Sequence, residues 1–501
     1  MKTKSFWGVF MVSAKYWISR LSLSLITAVV SITGIANSAY AISLVNGLTV
    51  PGNSTDLSFS SSNSANTNRL GFFSDLYYDR YSNVYYSLAD RGPGGGVIDY
   101  NTRIQKFTLD VDQNTGAISN LKLIDTILFT QNGQNFNGLN SRLLNGDASL
   151  LGRSFDPEGF AIAPNGNFYI SDEYGPSVYE FTPTGSFIRA FATPSNLIPK
   201  QSDGTVNYVD GRPDITTGRQ DNRGFEGLTL SPDGSKIFAM LQDPLVNEGS
   251  PDGRRSNNLR IVEFDTNTGA STAQYIYQLE SLADINTRVT DNTFGANSQG
   301  RNIGISAITA LNDKEFLVLE RDNRGLGVED PTGEIPVASK RIYKIDLTGA
   351  TNVTDISLAG TNTLPAGVTP VSKTLFADIA DFLKNAGLTI PEKFEGLAIG
   401  PQLADGSYAL IVGTDNDFSV TQNDDDVQFD VCTDGTQVVI DSGCPNGATL
   451  ISTYIYALRA SQEELAGFIP PTKVPEPTTT AGIVLFVSST FFLKRFKSIE
   501  G

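Results

Sequence analysis

Three glutamates stand in matching surroundings: Pro157-Glu158-Gly159-Phe160, Phe225-Glu226-Gly227-Leu228 and Phe394-Glu395-Gly396-Leu397. Each is followed by a segment that ends in acids, at Ser171-Asp172-Glu173, Gln242-Asp243 and Thr414-Asp415-Asn416-Asp417, with relatives at Ala89-Asp90-Arg91 and Leu319-Glu320-Arg321. Arginines recur in the same neighbourhoods, at Arg91, Arg153, Arg223, Arg321 and Arg324. Carboxylates gathered in one place raise each other's pKa unless arginines or a bound cation relieve them. Ligands of that type suit calcium, and guanidinium forks suit phosphate or carboxylate groups. The matching chemistry is metal-assisted attack of water on an anionic ester. Glu158, Asp172, Glu173, Glu226, Glu320 and Glu395 are therefore the catalytic candidates. Arg91, Arg153, Arg223, Arg321 and Arg324 are the substrate-binding candidates, and Asp90, Asp415 and Asp417 the metal candidates. No organic cofactor is expected. A structural reading stands beside this one: the same acids would fasten turns by accepting nearby backbone N–H groups.

The 501 residues include no histidine. That excludes Ser-His-Asp and Cys-His catalysis and His-ligated zinc. No G-x-S-x-G elbow and no phosphate-cradling G-x-x-x-x-G-K-[ST] loop is present. The run Asp424-Asp425-Asp426 lacks the spacing and glycine of a calcium loop and reads as a solvated charge run.

The elements that must position these residues repeat. The segments beginning near Ser74, Glu158, Glu226, Ser306 and Glu395 each give a strand, a turn such as Pro164-Asn165-Gly166 or Ser231-Pro232-Asp233-Gly234, and a second strand. Two more strands usually follow, for example 259–265 with 274–279 and 341–347 with 353–358. Short strands, Asx-Gly turns and four-strand units predict an all-β chain folded as a β-propeller. Five blades are countable, and an insertion could hide a sixth. An open β-sandwich array is the alternative. Successive starts lie 84, 68, 80 and 89 residues apart, so long loops are inserted, notably at 193–222, 247–258, 280–302 and 416–450. The strand at 452–458 lacks a fourth partner, and the segment 42–50 would complete its blade. First and second strands are antiparallel, so the start of one and the end of the other share an edge. All the acids above, with the insertions, are thereby expected around one mouth.

Residues 1–20 carry Lys2, Lys4, Lys15 and Arg20 and no acid, and an apolar run at 21–35 leads to Ala39-Tyr40-Ala41. This reads as a signal peptide cut after Ala41, a retained anchor being the alternative. Without residues 1–41 and 474–501 the body has 432 residues, 30 basic and 52 acidic side chains, and a net charge of −22. No basic field is left to attract nucleic acid or an anionic membrane surface. Cys432 and Cys444 lie in one polar loop and would pair in an oxidising compartment. A monomer is expected.

Two resemblances follow from these residues. Val474-Pro475-Glu476-Pro477, an apolar run at 481–493 and Lys494-Arg495-Phe496-Lys497 closely resemble the PEP-CTERM sorting signal of Gram-negative and cyanobacterial exported proteins. It implies transient anchoring in the inner membrane by a short transmembrane helix, with signal peptidase and an exosortase as processing partners; a plain tail anchor is the alternative. The body is 42–473. Its Asp156-Pro157-Glu158-Gly159, Ser171-Asp172-Glu173-Tyr174-Gly175, Phe225-Glu226-Gly227-Leu228, Glu320-Arg321-Asp322, Phe394-Glu395-Gly396-Leu397 and Thr414-Asp415-Asn416-Asp417-Phe418 resemble the phytase-like domain, "esterase-like activity of phytase". That resemblance implies a propeller and a hydrolase of ester or phosphate-ester substrates. It departs at Ser74-Asp75-Leu76, where Ser-Gly-Leu is usual, and a distorted first blade is expected if Asp75 must take up a glycine conformation. The second function open to such a chain is a non-catalytic extracellular binding module or envelope scaffold.

Overall fold

The computed structural model describes residues 30–31, 42–58, 68–141, 154–295, 299–423 and 427–473. The C-terminal signal, nearly all of the N-terminal one, Arg153 and Asp424-Asp425-Asp426 lie outside the described residues.

Among them, five antiparallel blades form a β-propeller, four of them four-stranded and the fifth carrying the two-residue strand Val30–Ser31 beside its four main strands. Blade one is Leu76–Asp79, Val84–Ala89, Arg103–Val111 and Ile118–Leu128; blade two is Pro157–Ile162, Phe168–Asp172, Ser177–Phe181 and Phe187–Ala190. Blade three is Phe225–Leu230, Lys236–Leu241, Asn258–Asp265 and Ser271–Gln278. Blade four is Ile303–Ala310, Glu315–Asp322, Lys340–Asp346 and Ser372–Asp378. Blade five joins Lys393–Gln402, Tyr408–Asp415 and Thr453–Ala460 to Ser43–Val50 from the other end of the body. The inner strands neighbour one another in a circuit that returns from blade five to blade one. Such closure removes the exposed inner edges that an open array would leave.

Burial follows from this layering. Inner strands lie between neighbours on both faces, so Phe225–Leu230 is buried throughout, whereas the outermost Ser372–Asp378 is largely exposed. The apolar cores fill the spaces between blades. Tyr86, Ile104, Phe160 and Phe168 meet between blades one and two, and Phe238 meets Phe316 between three and four with ring centroids 4.7 Å apart.

One expected strand is corrected. Residues 353–358 do not edge blade four; that place belongs to Ser372–Asp378. Val353 and Leu358 instead bury against Ile276 of blade three, and Arg260 donates to the carbonyls of Val353 and Ile356. The insertion after blade five's second strand carries a small sheet, Val420–Gln422, Gln428–Val431 and Gln437–Val439, and the Cys432–Cys444 disulfide. Its Asp430 accepts from Arg69 at 2.6 Å.

At the far end of the channel, the segment after Ala460 crosses the ring. Ile469 N–H donates to the Leu311 carbonyl, Thr472 N–H to that of Pro232, and the Tyr81 hydroxyl to that of Pro471. Phe468 and Pro471 line the small space left below the inner strands. Among the described residues, the mouth formed by the strand starts has no such segment across it.

Candidate functional site: a carboxylate rim at the propeller mouth

A recurrent backbone irregularity aims the key glutamates. Pairing between first and second strands skips a residue at Glu226, Ser306 and Glu395, and at Glu158-Gly159 opposite Ser171. Each is a β-bulge, which leaves one residue unpaired and re-aims its side chain. The glycine that follows is explained by the next blade. A Cβ on Gly159 would stand 2.6 Å from the Leu228 nitrogen, and one on Gly227 would stand 3.0 Å from the Ile308 nitrogen. In blade one Asp75 holds this place without a left-handed backbone; its carboxylate accepts from Phe160 N–H at 2.7 Å and Leu76 N–H at 2.7 Å. The positive φ, 71°, belongs to Phe73.

The bulges bring Glu158 and Glu226 together with Glu173, at the end of blade two's second strand. All three are buried, and their ligand oxygens lie within 4.8 Å of one another. Two further groups of that tightness adjoin them: Asp90, Asp156 and Glu158, then Asp90, Asp415 and Asp417. Burial first, then the Glu226, Asp156, Glu173 and Glu395 charges, raises the Glu158 carboxyl well above its usual range. Burial and the Glu226 charge do the same to Glu173. Burial and the Glu395 charge push Glu226 up to about 8, against the opposing pull of Arg321. Asp90 is raised by burial and by Asp415.

Cations surround this acid. Arg321 pairs with Glu395 and donates to the Ser306 hydroxyl at 2.8 Å. Arg91 reaches Asp156 at 3.1 Å and also bonds Asn222. Arg223 lies 3.5 Å from Asp243 and 3.9 Å from Glu173, and at 39% side-chain exposure it is the most open of the three. Lys393, absent from the candidates, sits 2.7 Å from Asp417 and 3.1 Å from Asp415. Burial opposes its charge, yet Asp417, Glu395, Asp415 and Asp90 hold the ammonium well above its usual range. Lys393 and Asp156 both stand two places before a bulge glutamate, and a period of two puts i and i−2 on one face. That alternation was the available signal.

The candidates therefore divide. Glu158, Glu173, Glu226, Glu395, Asp90, Asp415, Asp417, Arg91, Arg223 and Arg321 converge on the rim. Asp172 lies beneath it, one oxygen accepting from the Asp156 and Tyr174 N–H groups at 3.1 Å. Glu320 is a correction. Side chains alternate along a strand, so with Arg321 facing the rim Glu320 faces the other side. There it accepts from the Tyr277 hydroxyl at 2.6 Å and pairs with Lys373 at 2.6 Å. Arg324 is a second correction, its guanidinium lying over the Phe294 ring at 3.6 Å and bonding the Pro336 carbonyl.

The three acid groups differ in their fitness for a cation. Asp415 and Asp417 already hold the Lys393 ammonium. In the glutamate triad, Glu173 Oε1 and Glu226 Oε2 are buried with no hydrogen-bond partner among the described residues. Buried carboxylate oxygens that lack hydrogen bonds within a like-charged group are costly. The Arg223 guanidinium 3.9 Å from Glu173 Oε1 offsets this only in part, and a hard divalent ion taking oxygen ligands would satisfy them. The donor set of Glu158, Glu173 and Glu226 fits calcium.

Residues 68–418 match the family model described as "Phytase-like: Esterase-like activity of phytase". A protein of Arthroderma benhamiae described as an uncharacterized secreted protein is 29% identical over 414 residues, which cover 68% of this chain and 79% of that one. Among solved structures, virginiamycin B lyase from Staphylococcus aureus is 10% identical with a TM-score of 0.30, covering 86% of this chain and 98% of the lyase. A calcium-binding protein, regucalcin, from Agrobacterium tumefaciens is also 10% identical, with a TM-score of 0.27 and coverage of 82% and 96%.

Proposed function

This chain belongs to the phytase-like family, and from that premise we propose that it is an exported hydrolase of anionic esters or phosphate esters, working with calcium at the Glu158–Glu173–Glu226 triad. Export is supported by the N-terminal signal pattern and by the secreted description of the Arthroderma benhamiae relative. The observation that carries the site is the pair of buried glutamate oxygens, Glu173 Oε1 and Glu226 Oε2, that accept no hydrogen bond among the described residues inside a like-charged group. When bound, the cation would polarise the ester oxygen and favour ionisation of attacking water. The chain's own residues supply the rest. With no histidine to move protons, a rim carboxylate outside the calcium ligands takes the proton from water. Arg223, the most open guanidinium, meets the substrate's anionic group, while Arg91 and Arg321 hold Asp156 and Glu395 in place.

The test is turnover of p-nitrophenyl phosphate and p-nitrophenyl acetate by the purified chain, with calcium and with chelator. Hydrolysis that requires calcium is the expected result; no turnover of either ester in either condition by folded protein overturns the reading. A non-catalytic binding module is the second reading, favoured by Asp172, whose carboxylate ties two backbone N–H groups in the manner of a fastener. Calcium that raises the melting temperature with no turnover would support it.

A further inference from the structure

Beside the rim opens a polar cleft of about 450 Å³, walled by the 193–222 insertion and by the turn after Asp90. That volume is in the range of small-molecule sites. We propose that it binds an uncharged polyhydroxylated group, a sugar or sugar-like polyol, as the alcohol portion of the ester; the assignment to the ester rests on the hydrolase reading.

The balance of charge disfavours polyionic ligands. Arg91, Arg212 and Arg219 face the cleft together with Asp210, Asp214 and Asp221, three of each sign. A polyanion would meet three carboxylates and a polycation three guanidiniums. A hydroxyl group both donates and accepts, so interleaved donors and acceptors suit it best. Several of these groups are available. The Asp214 and Asp221 carboxylates are exposed, and neither they nor the Tyr208 hydroxyl form a hydrogen bond or ion pair to protein among the described residues. Arg212 uses one end on Asp252 at 3.0 Å, while its buried Nε has no partner among the described residues. The half-buried Tyr208 ring adds an apolar face of the kind that covers the C–H side of a sugar ring.

The walls are held rigid. Arg219, 2% exposed, donates to the carbonyls of Tyr174, Gln220 and Tyr208 and so ties the insertion to blade two. Arg91 joins the cleft to the rim, bonding Asn222 on one side and Asp156 on the other, and Asp156 shares its acid group with Glu158. A ring in the cleft thus lies next to the carboxylates proposed to cut its ester.

The experiment is calorimetric titration of the purified chain with maltose, myo-inositol and myo-inositol hexakisphosphate, in calcium and in chelator. Saturable binding of maltose or myo-inositol in both conditions is expected. Loss of one stacking or hydrogen-bond contact should raise its Kd by about tenfold in Tyr208→Ala. Asp221→Asn, at an exposed position, should weaken it as well with the melting temperature unchanged. The proposal is overturned if neither neutral polyol binds, or if binding is indifferent to both cleft substitutions. It is also overturned if the hexakisphosphate binds more tightly than either and competes at the same site. Polyol binding without ester turnover would sink the hydrolase reading alone, and calcium-dependent turnover without polyol binding would sink this one alone.

Discussion

Glu226 concentrates the conflict at the rim. Burial and the Glu395 charge favour its protonated form, and its Oε2 has no partner among the described residues. A bound cation would remove both penalties at once, which makes the residue diagnostic. Glu226→Gln should leave the melting temperature in chelator unchanged or higher, because a like charge is removed. It should also shrink the rise produced by calcium, a rise that grows with ligand excess over Kd, and should lower calcium-dependent ester turnover by about 10²-fold or more. Calorimetry in chelator decides between the readings, since loss of a fastener would lower the melting temperature instead. Asp243 gives a separate pH signature. Burial pushes its pKa up to about 7 even though Arg223, Arg212 and Arg321 pull the other way. The folded state therefore holds this proton through a window in which the unfolded chain has lost it. Stability from this group is full below pH about 4, the ordinary aspartate value, and is lost as pH rises through about 7. Urea unfolding in chelator should show that decline, and Asp243→Asn should flatten it.

At the scale of the element, the repeated Glu-Gly is a two-part device. The bulge turns the glutamate to the mouth, and the glycine lets the next inner strand approach. Gly159→Ala would set a Cβ 2.5 Å from the Ser171 hydroxyl oxygen and 2.6 Å from the Leu228 nitrogen. Overpacking of this kind costs about 1–3 kcal/mol, so the urea midpoint should fall by a corresponding amount. Gly227→Ala, whose nearest contact is 3.0 Å, should cost less. Blade one solves the same problem with a carboxylate. Asp75→Ala leaves the Phe160 and Leu76 N–H groups without acceptors, and each orphaned buried donor costs about 1–3 kcal/mol. Asp75→Asn, which keeps an acceptor oxygen, should recover part of the loss in the same measurement.

For the whole molecule, closure depends on a strand borrowed from the start of the body. Ser43–Val50 pairs with Thr453–Ala460 along its length, from Ser43 opposite Arg459 to Val50 opposite Thr453. Removing 42–50 would bare the edge of blade five and open the apolar core that Leu48 and Val50 help fill. Exposed edges invite pairing with other chains. The truncated chain should elute as aggregate on size exclusion and melt at a lower temperature, with calcium unable to restore it. The opposite end serves the same ring, since the segment carrying Phe468 and Pro471 covers the far end of the channel. Among the described residues, the charged mouth is the end without such a cover.

The local grammar is legible along the chain: strand, turn, strand, the glutamate before the glycine, the two cysteines in one loop and the free strand at 42–50. These are short-range patterns of periodicity and turn chemistry, written out residue by residue. Which acids meet was decided by tertiary structure. Glu320 and Arg321 are adjacent in the chain yet serve opposite faces of a sheet, Glu320 bonding Tyr277 and Arg321 pairing with Glu395. Lys393 and Asp156 acquire their meaning only when the blades close into a ring and bring separate strands within reach. Residues 353–358 form no strand for the same reason: a β-like segment takes its partner from packing, and here Ser372–Asp378 holds the edge of blade four.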